Sequence, residues 1–302
     1  MIRPTKQGAL ARRETVLFYL CISPWLLGFV LFVLGPMMAS LGISFTRWNL
    51  IDTPQFVGLD NFERMLWHDA RFWQALKVTT LYTALYVPTE LIGGLLLALL
   101  MNQNVRGISL FRTIYYLPSV LSGVAFVVVW MWLLHPDAGL INNGLRLIGL
   151  NGPRWLTNPD TALWALWLMS LWGLGRTGII YLAGLQDVPR ELYEAAAIDG
   201  ATAWQSFFKV TVPLITPTIF FNLVLSLIAT FQTFTSAFVA TDGGPLDSTL
   251  FYVLYLYQRA FVNFRMGYAS AMAWVLFLII LLFTLLIVRS ARRWVYYEGE
   301  RT

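Results

Sequence analysis

Six apolar stretches, each long enough to span a bilayer as a helix, constrain this chain more than any other feature. A hydrocarbon core takes roughly 20 apolar residues per helix. Residues 16–38, 78–101, 114–134, 161–185, 214–240 and 266–288 all meet that length. In lipid, backbone N–H and C=O groups must be satisfied internally, so such stretches become helices. Composition agrees, with 58% of residues hydrophobic and 12% charged and a mean hydropathy of +0.63, far from a soluble average. The first stretch resembles a secretory leader, but it is too long and has no small-residue cleavage site. The expectation is an all-α integral membrane protein with six transmembrane helices. Its organisation would be a tail over 1–15, a membrane domain over 16–289 and a second tail over 290–302. The longest connection, 46–77, is about 32 residues, so no soluble domain of useful size is expected.

An even number of spans puts both termini on one side, and the Lys and Arg residues then choose the side. The termini side collects Arg3, Lys6, Arg12, Arg13, Arg106, Arg112, Arg190, Lys209, Arg289, Arg292, Arg293 and Arg301. The opposite side has Arg47, Arg64, Arg71, Lys77, Arg146, Arg154, Arg259 and Arg265, with Arg176 left inside a span. That bias predicts cytoplasmic termini. The net charge of +5 is thereby read as a topology signal, and nucleic acid is not needed as a partner.

Soluble chemistry finds little support. Cys21 is the only cysteine, which excludes an intrachain disulfide and a Cys-based metal site. His68 and His135 fall in predicted outer connections without partners at ligand spacing. No Gly-x-x-x-x-Gly-Lys phosphate loop occurs, and no nucleophile–base constellation stands out. The chain is therefore not expected to be an enzyme or to bind a cofactor itself.

Between the fourth and fifth stretches lies a charged passage, residues 186–213. Pro189 suits the first turn of a helix, and Glu191 and Glu194 place negative charge toward its positive end. Gly200 supplies the left-handed residue that ends such a helix. Thr202 with Gln205 reads as a capping box for a second helix, which carries Trp204, Phe207 and Phe208 on one face. The pattern predicts a helix–turn–helix at the membrane surface. A DNA-reading helix pair is excluded by the apolar spans on both sides.

This passage resembles the cytoplasmic signature loop of ABC-importer permeases, whose pattern is Glu-Ala-Ala, three residues, Gly, nine residues, then Ile-x-Leu-Pro. Here it stands as Glu194-Ala195-Ala196, Gly200 and Val210-Thr211-Val212-Pro213, with Val replacing both Ile and Leu. Other passages are similar to sugar-importer permeases. They are Phe56-Val57-Gly58-Leu59-Asp60-Asn61-Phe62, Phe111-Arg112-Thr113 through Leu117-Pro118, and His135-Pro136-Asp137-Ala138-Gly139-Leu140-Ile141-Asn142. Thr241-Asp242-Gly243-Gly244-Pro245 with Ser248-Thr249, and Gly267-Tyr268-Ala269-Ser270-Ala271, complete the series. The resemblance is to the first member of paired permeases for oligosaccharides and glycerol phosphates, in the lactose and glycerol-3-phosphate branch.

That resemblance implies a type I ABC importer permease fold in a bacterial or archaeal inner membrane. It implies a second homologous permease, two ATP-binding subunits that hold the ATP and Mg, and an extracytoplasmic solute-binding protein. Glu191, Glu194, Ala195, Ala196, Asp199, Gly200, Ala201, Trp204 and Phe208 would dock the ATPase.

Polar residues inside a membrane are costly and usually face a cavity or a partner. Asn222, Ser226, Thr230 and Thr233 are spaced four, four and three, which places them on one helical face, with Gln232 beside them. Hydroxyls and amides suit a neutral sugar, although small polar residues also help helices pack. Arg176 would contact solute, hinting at an anionic or phosphorylated one, or pair with Glu90. Trp130, Trp164, Trp167 and Trp172 read as packing or lipid anchors. A secondary transporter would recruit Glu90 and Arg176, and a membrane enzyme or scaffold would need a catalytic cluster. Neither rival accounts for residues 194–213.

Overall fold

The computed structural model describes residues 6–103 and 105–296, so Arg3 and Arg301 of the charge count, and the outermost parts of the two tails, lie outside the described residues. Five helices among them are long and apolar enough to cross a membrane: Ala11–Ser44, Ala70–Met101, Pro159–Gln186, Thr216–Ala240 and Met266–Trp294. The expected third span is different. It consists of two helices, Ile108–Val120 and Gly123–Leu133, bent against each other by 102°. Pro118 lies in the last turns of the first of these and Leu121 and Ser122 are extended. Proline removes a backbone donor and crowds the carbonyl four residues before it, and Gly123 then begins a new helix in another direction.

The long helices carry irregular turns where proline demands them. Pro36 follows a widened turn at Val30–Leu34, and Pro213 follows another at Phe207–Thr211. In both, the carbonyl that the proline ring would crowd, four residues back, lies within the widened turn, which relieves the clash. A tighter turn at Leu171–Gly173 interrupts the fourth span. The fifth breaks after Phe231 and resumes at Thr235.

The chain forms two compact units, one of residues up to Arg64 with Arg259–Trp274, the other of Met65–Gln258 with residues from Val275. In the first, Thr46–Arg47 pairs antiparallel with Gln55–Phe56, followed by the short helix Asp60–Trp67, which runs on into the second unit. Asn61 Nδ2 donates to the carbonyls of Ser44 (2.8 Å) and Thr46 (2.9 Å), and Trp274 Nε1 donates to Ser40 Oγ (3.1 Å). In the most apolar stretch of the first span no residue is buried.

The second unit is organised around Ala70–Met101. Lipid tails are as apolar as leucine, so close packing and interhelical hydrogen bonds replace the hydrophobic effect between spans. Gly94 lies against Thr177 and Gly178, where even a Cβ would come within 2.8 Å of the threonine methyl. Tyr181, Leu185, Met101 and Ile215 are buried in one cluster, with Tyr193, Val210 and Leu214 packed on it. Helix starts are closed locally and at long range: Asp69 accepts from the N–H groups of Arg71 and Phe72, and Thr79 Oγ1 accepts from the Tyr252 N–H, 173 residues on, at 2.8 Å.

Candidate docking segment and membrane cavity

The charged passage folds as a helix pair. The first helix is Arg190–Ile198, with Pro189 extended just before it. Proline thus caps the helix one residue earlier than its expected place in the first turn. Gly200 has φ of +76°, and its N–H donates to the Ala197 carbonyl (3.1 Å) while Ala201 N–H reaches Ala196 O (2.9 Å). These two bonds satisfy carbonyls that a helix end leaves orphaned. The capping box is complete, because Thr202 N–H donates to Gln205 Oε1 (2.8 Å) and Gln205 N–H donates to Thr202 Oγ1 (3.4 Å).

The pair is fastened by a hydrogen bond between the Tyr193 and Thr211 hydroxyls (2.8 Å). Its outer surface is unusually apolar for exposed residues: Ile198 is 87% exposed, Trp204 72% and Phe208 60%. Trp204 stacks on Phe208 with centroids 5.8 Å apart. Glu191, Glu194, Ala195, Asp199 and Gly200 are also exposed, while Ala196 and Ala201 are half-buried. An exposed apolar patch rimmed by charge marks a surface that meets a partner protein or a membrane. It stands on the buried cluster through Tyr193, Val210 and Leu214.

A cavity of about 360 Å³ lies among the spans of the same unit. Glu90, Arg176, Thr230 and Thr233 line it, as the sequence suggested. The postulated Glu90–Arg176 pair does not form. Glu90 instead accepts a hydrogen bond from Thr177 Oγ1 (2.7 Å) and another from Ser226 Oγ. One side chain thereby ties the second span to the fourth and fifth through two hydrogen bonds. Arg176, in the first turn of Leu174–Gln186, is left exposed toward the cavity.

Three candidate pathway residues do not line this space. Ser226 spends its hydroxyl on Glu90. Asn222 is buried, with its Nδ2 unpartnered. Gln232 follows the last turn of Thr216–Phe231, where the helix breaks, and is exposed outside the cavity.

Sequence reasoning missed Tyr82, Tyr86, Ser119, Phe126, Ser170 and Ser236, which also line the cavity, alongside the apolar Leu166, Met169, Gly173 and Ala229. Tyr82 and Tyr86 stack with centroids 5.8 Å apart, and Tyr82 donates to Ser170 Oγ (3.0 Å). Positions 82, 86 and 90 recur every four residues and so share a helical face. That spacing was a readable signal. Trp172 meets Trp130 edge-on at 5.7 Å, in keeping with the packing role read for those tryptophans.

Residues 90–296 match the family model described as "Binding-protein-dependent transport system inner membrane component". The probable ABC transporter permease protein YesP of Bacillus subtilis is 44% identical over 299 residues, covering 98% of this chain and 96% of that protein. The lactose transport system permease protein LacF of Rhizobium radiobacter is 34% identical, with 95% and 98% covered. Among solved structures, a chain of a bacterial ABC transporter involved in the import of the acidic polysaccharide alginate superposes with a TM-score of 0.82 at 26% identity. That alignment covers 96% of this chain and 99% of the other.

Proposed function

Because this chain belongs to the family of binding-protein-dependent transport system inner membrane components, we propose that it is a permease subunit of an ATP-driven carbohydrate importer. It would form half of the translocation pathway and couple to a separate ATPase through the Glu194–Gly200 loop. The observation that carries this reading is the capped helix pair, whose exposed Trp204, Phe208 and Ile198 stand directly on the buried core of the spans. Such an element can transmit motion from a docked partner to the pathway.

The partners in this reading are a second homologous permease, two ATP-binding subunits carrying ATP and Mg, and an extracytoplasmic solute-binding protein. The unburied first span offers its surface to lipid and to the second permease. The positive-residue bias supports a cytoplasmic position for the termini and the docking pair. The membrane cavity, with its hydroxyls, tyrosine rings and one guanidinium, is the solute path. Arg176 favours sugars that carry an anionic group, glycerol-phosphate-type polyols included, as the second substrate reading.

Alternating access needs two packed states that an outside source biases. Moving an equilibrium from 1:99 to 99:1 takes about 5.5 kcal/mol of differential stabilisation. Closure of ATP-bound subunits meets that demand, and Pro213 with the widened turn before it marks where the docking pair bends against the fifth span. Reconstituted uptake of radiolabelled sugars, with and without the ATPase subunits, tests the proposal. Uptake should require ATP and the ATPase subunits, and uptake by this chain alone under an ion gradient would refute it.

A further inference from the structure

A second cavity, of about 500 Å³, belongs wholly to the unit made of residues up to Arg64 and Arg259–Trp274. Three guanidiniums line it, from Arg47, Arg64 and Arg265, against a single carboxylate, Asp52. Arg47 is already offset by Asp60, 3.5 Å away. Asp52 is itself engaged, accepting from Asn49 Nδ2 at 2.7 Å. Among the described residues, Arg64 and Arg265 enter no ion pair. The cavity therefore holds excess positive charge in a concave site, and no lysine contributes to it.

The walls are built and held. Met266 N–H donates to the Trp48 carbonyl at 2.9 Å, joining the two segments that face each other across the space. Gly267 lies so close to the Thr46 carbonyl that any Cβ would collide with it. Leu50 and Phe264, one in each wall segment, have φ of +71° and +53°, a region that non-glycine residues enter only where their surroundings hold them. Phe264 directly precedes Arg265 and fixes the direction of that side chain's backbone. The half-buried ring of Trp48 supplies an apolar face, while Tyr268, 5% exposed and with the Arg259 guanidinium 5.9 Å from its ring centroid, is packed into the wall.

Planar guanidinium forks match a carboxylate in a way that a lysine point charge does not. An aromatic ring beside them suits the apolar C–H face of a pyranose. A volume of this size lies within the range of small-molecule sites, roughly 300–1,000 Å³. We propose that this cavity binds a carboxylate-bearing sugar residue, a uronate, on the extracytoplasmic side and apart from the membrane cavity. Its sidedness rests on the orientation proposed above, and its chemistry does not.

The assembled transporter, without a solute-binding protein, is placed in phosphatidylcholine nanodiscs and titrated calorimetrically with trigalacturonate or neutral maltotriose. Trigalacturonate should bind at least tenfold more tightly than maltotriose. The Arg64→Gln/Arg265→Gln double variant should cut that preference severalfold, leaving only what Arg176 in the membrane cavity contributes, and the single Arg265→Gln should reduce it less. Arg64→Lys/Arg265→Lys should fall between, because charge is kept and the fork is lost. Arg71→Gln, which removes an arginine paired with Asp247 outside this cavity, should leave binding unchanged.

Equal affinity for the two trisaccharides, or undiminished trigalacturonate binding in the glutamine variants, would overturn the assignment. So would loss of trigalacturonate binding by the unmodified protein when phosphatidylglycerol is added to the discs, since the guanidiniums would then hold a lipid headgroup. The assay reads binding and no uptake, so a negative result leaves ATP-driven transport standing, and a failure of transport leaves this site standing.

Discussion

Single residues decide how the docking pair is shaped. Gly200 sits at φ of +76° with open space around its Cα, so a larger side chain meets no neighbour and only the backbone conformation resists it. Gly200→Val should introduce strain of about 1–3 kcal/mol and misdirect the second helix while leaving the spans intact. Solute-stimulated ATPase activity should drop severalfold at normal membrane abundance, and an unchanged activity would remove the docking role.

In the membrane cavity, Thr230 already spends its proton on the Ser226 carbonyl (2.5 Å), whereas the Thr233 hydroxyl has no such engagement among the described residues. Thr233→Ala should therefore slow uptake more than Thr230→Ala, by about 0.5–1.5 kcal/mol, or roughly two- to twelvefold in initial rate. Equal effects of the two substitutions would show that the hydroxyls do not differ as their hydrogen bonds say.

At the level of elements, the capping box and the carboxylate tie are separable. Thr202→Ala removes one half of the box and should cost about 0.5–2 kcal/mol of local helix stability. Its expression is weaker co-purification of the ATPase subunits, and Thr202→Ser, which keeps the acceptor, should restore it.

Glu90 joins three helices through Thr177 and Ser226. Glu90→Ala leaves both hydroxyls without that acceptor, and hydrogen–deuterium exchange should rise in 174–186 and 216–231. Glu90→Gln retains an acceptor oxygen and should disturb exchange less. Exchange that does not respond to either change would mean the spans are held by packing alone. The irregular turns before Pro36 and Pro213 belong to the same scale, since each absorbs in five residues what a straight helix could not.

For the whole molecule, the first span is the element whose role lies outside the chain. None of its most apolar stretch is buried, so a protein-free surface there must be covered by lipid or by another membrane subunit. Purified alone, the chain should fail to transport and should gain thermal stability when the second permease is co-expressed, as followed by melting in detergent. A lone chain that transports at full rate would overturn the assembly. The fold itself is that of type I importer permeases, and its sequence relatives span nearly its full length.

Spans, caps and the helix–turn–helix after the fourth span were legible in the sequence because each depends on local chemistry. Length in an apolar run sets a membrane helix, a glycine sets a left-handed turn, and Thr202 with Gln205 close a box three residues apart. The bend of the third span was half legible, since Pro118 was visible and the 102° angle was not. What only the tertiary structure decided were partners far apart in the chain. Glu90 went to Thr177 and Ser226 and left Arg176 alone, Gln232 turned away from the cavity, and Arg64 and Arg265 came to share another. Those outcomes depend on how helices 87 or 136 residues apart rotate against each other. Helical periodicity fixes which residues share a face, and packing alone fixes what that face meets.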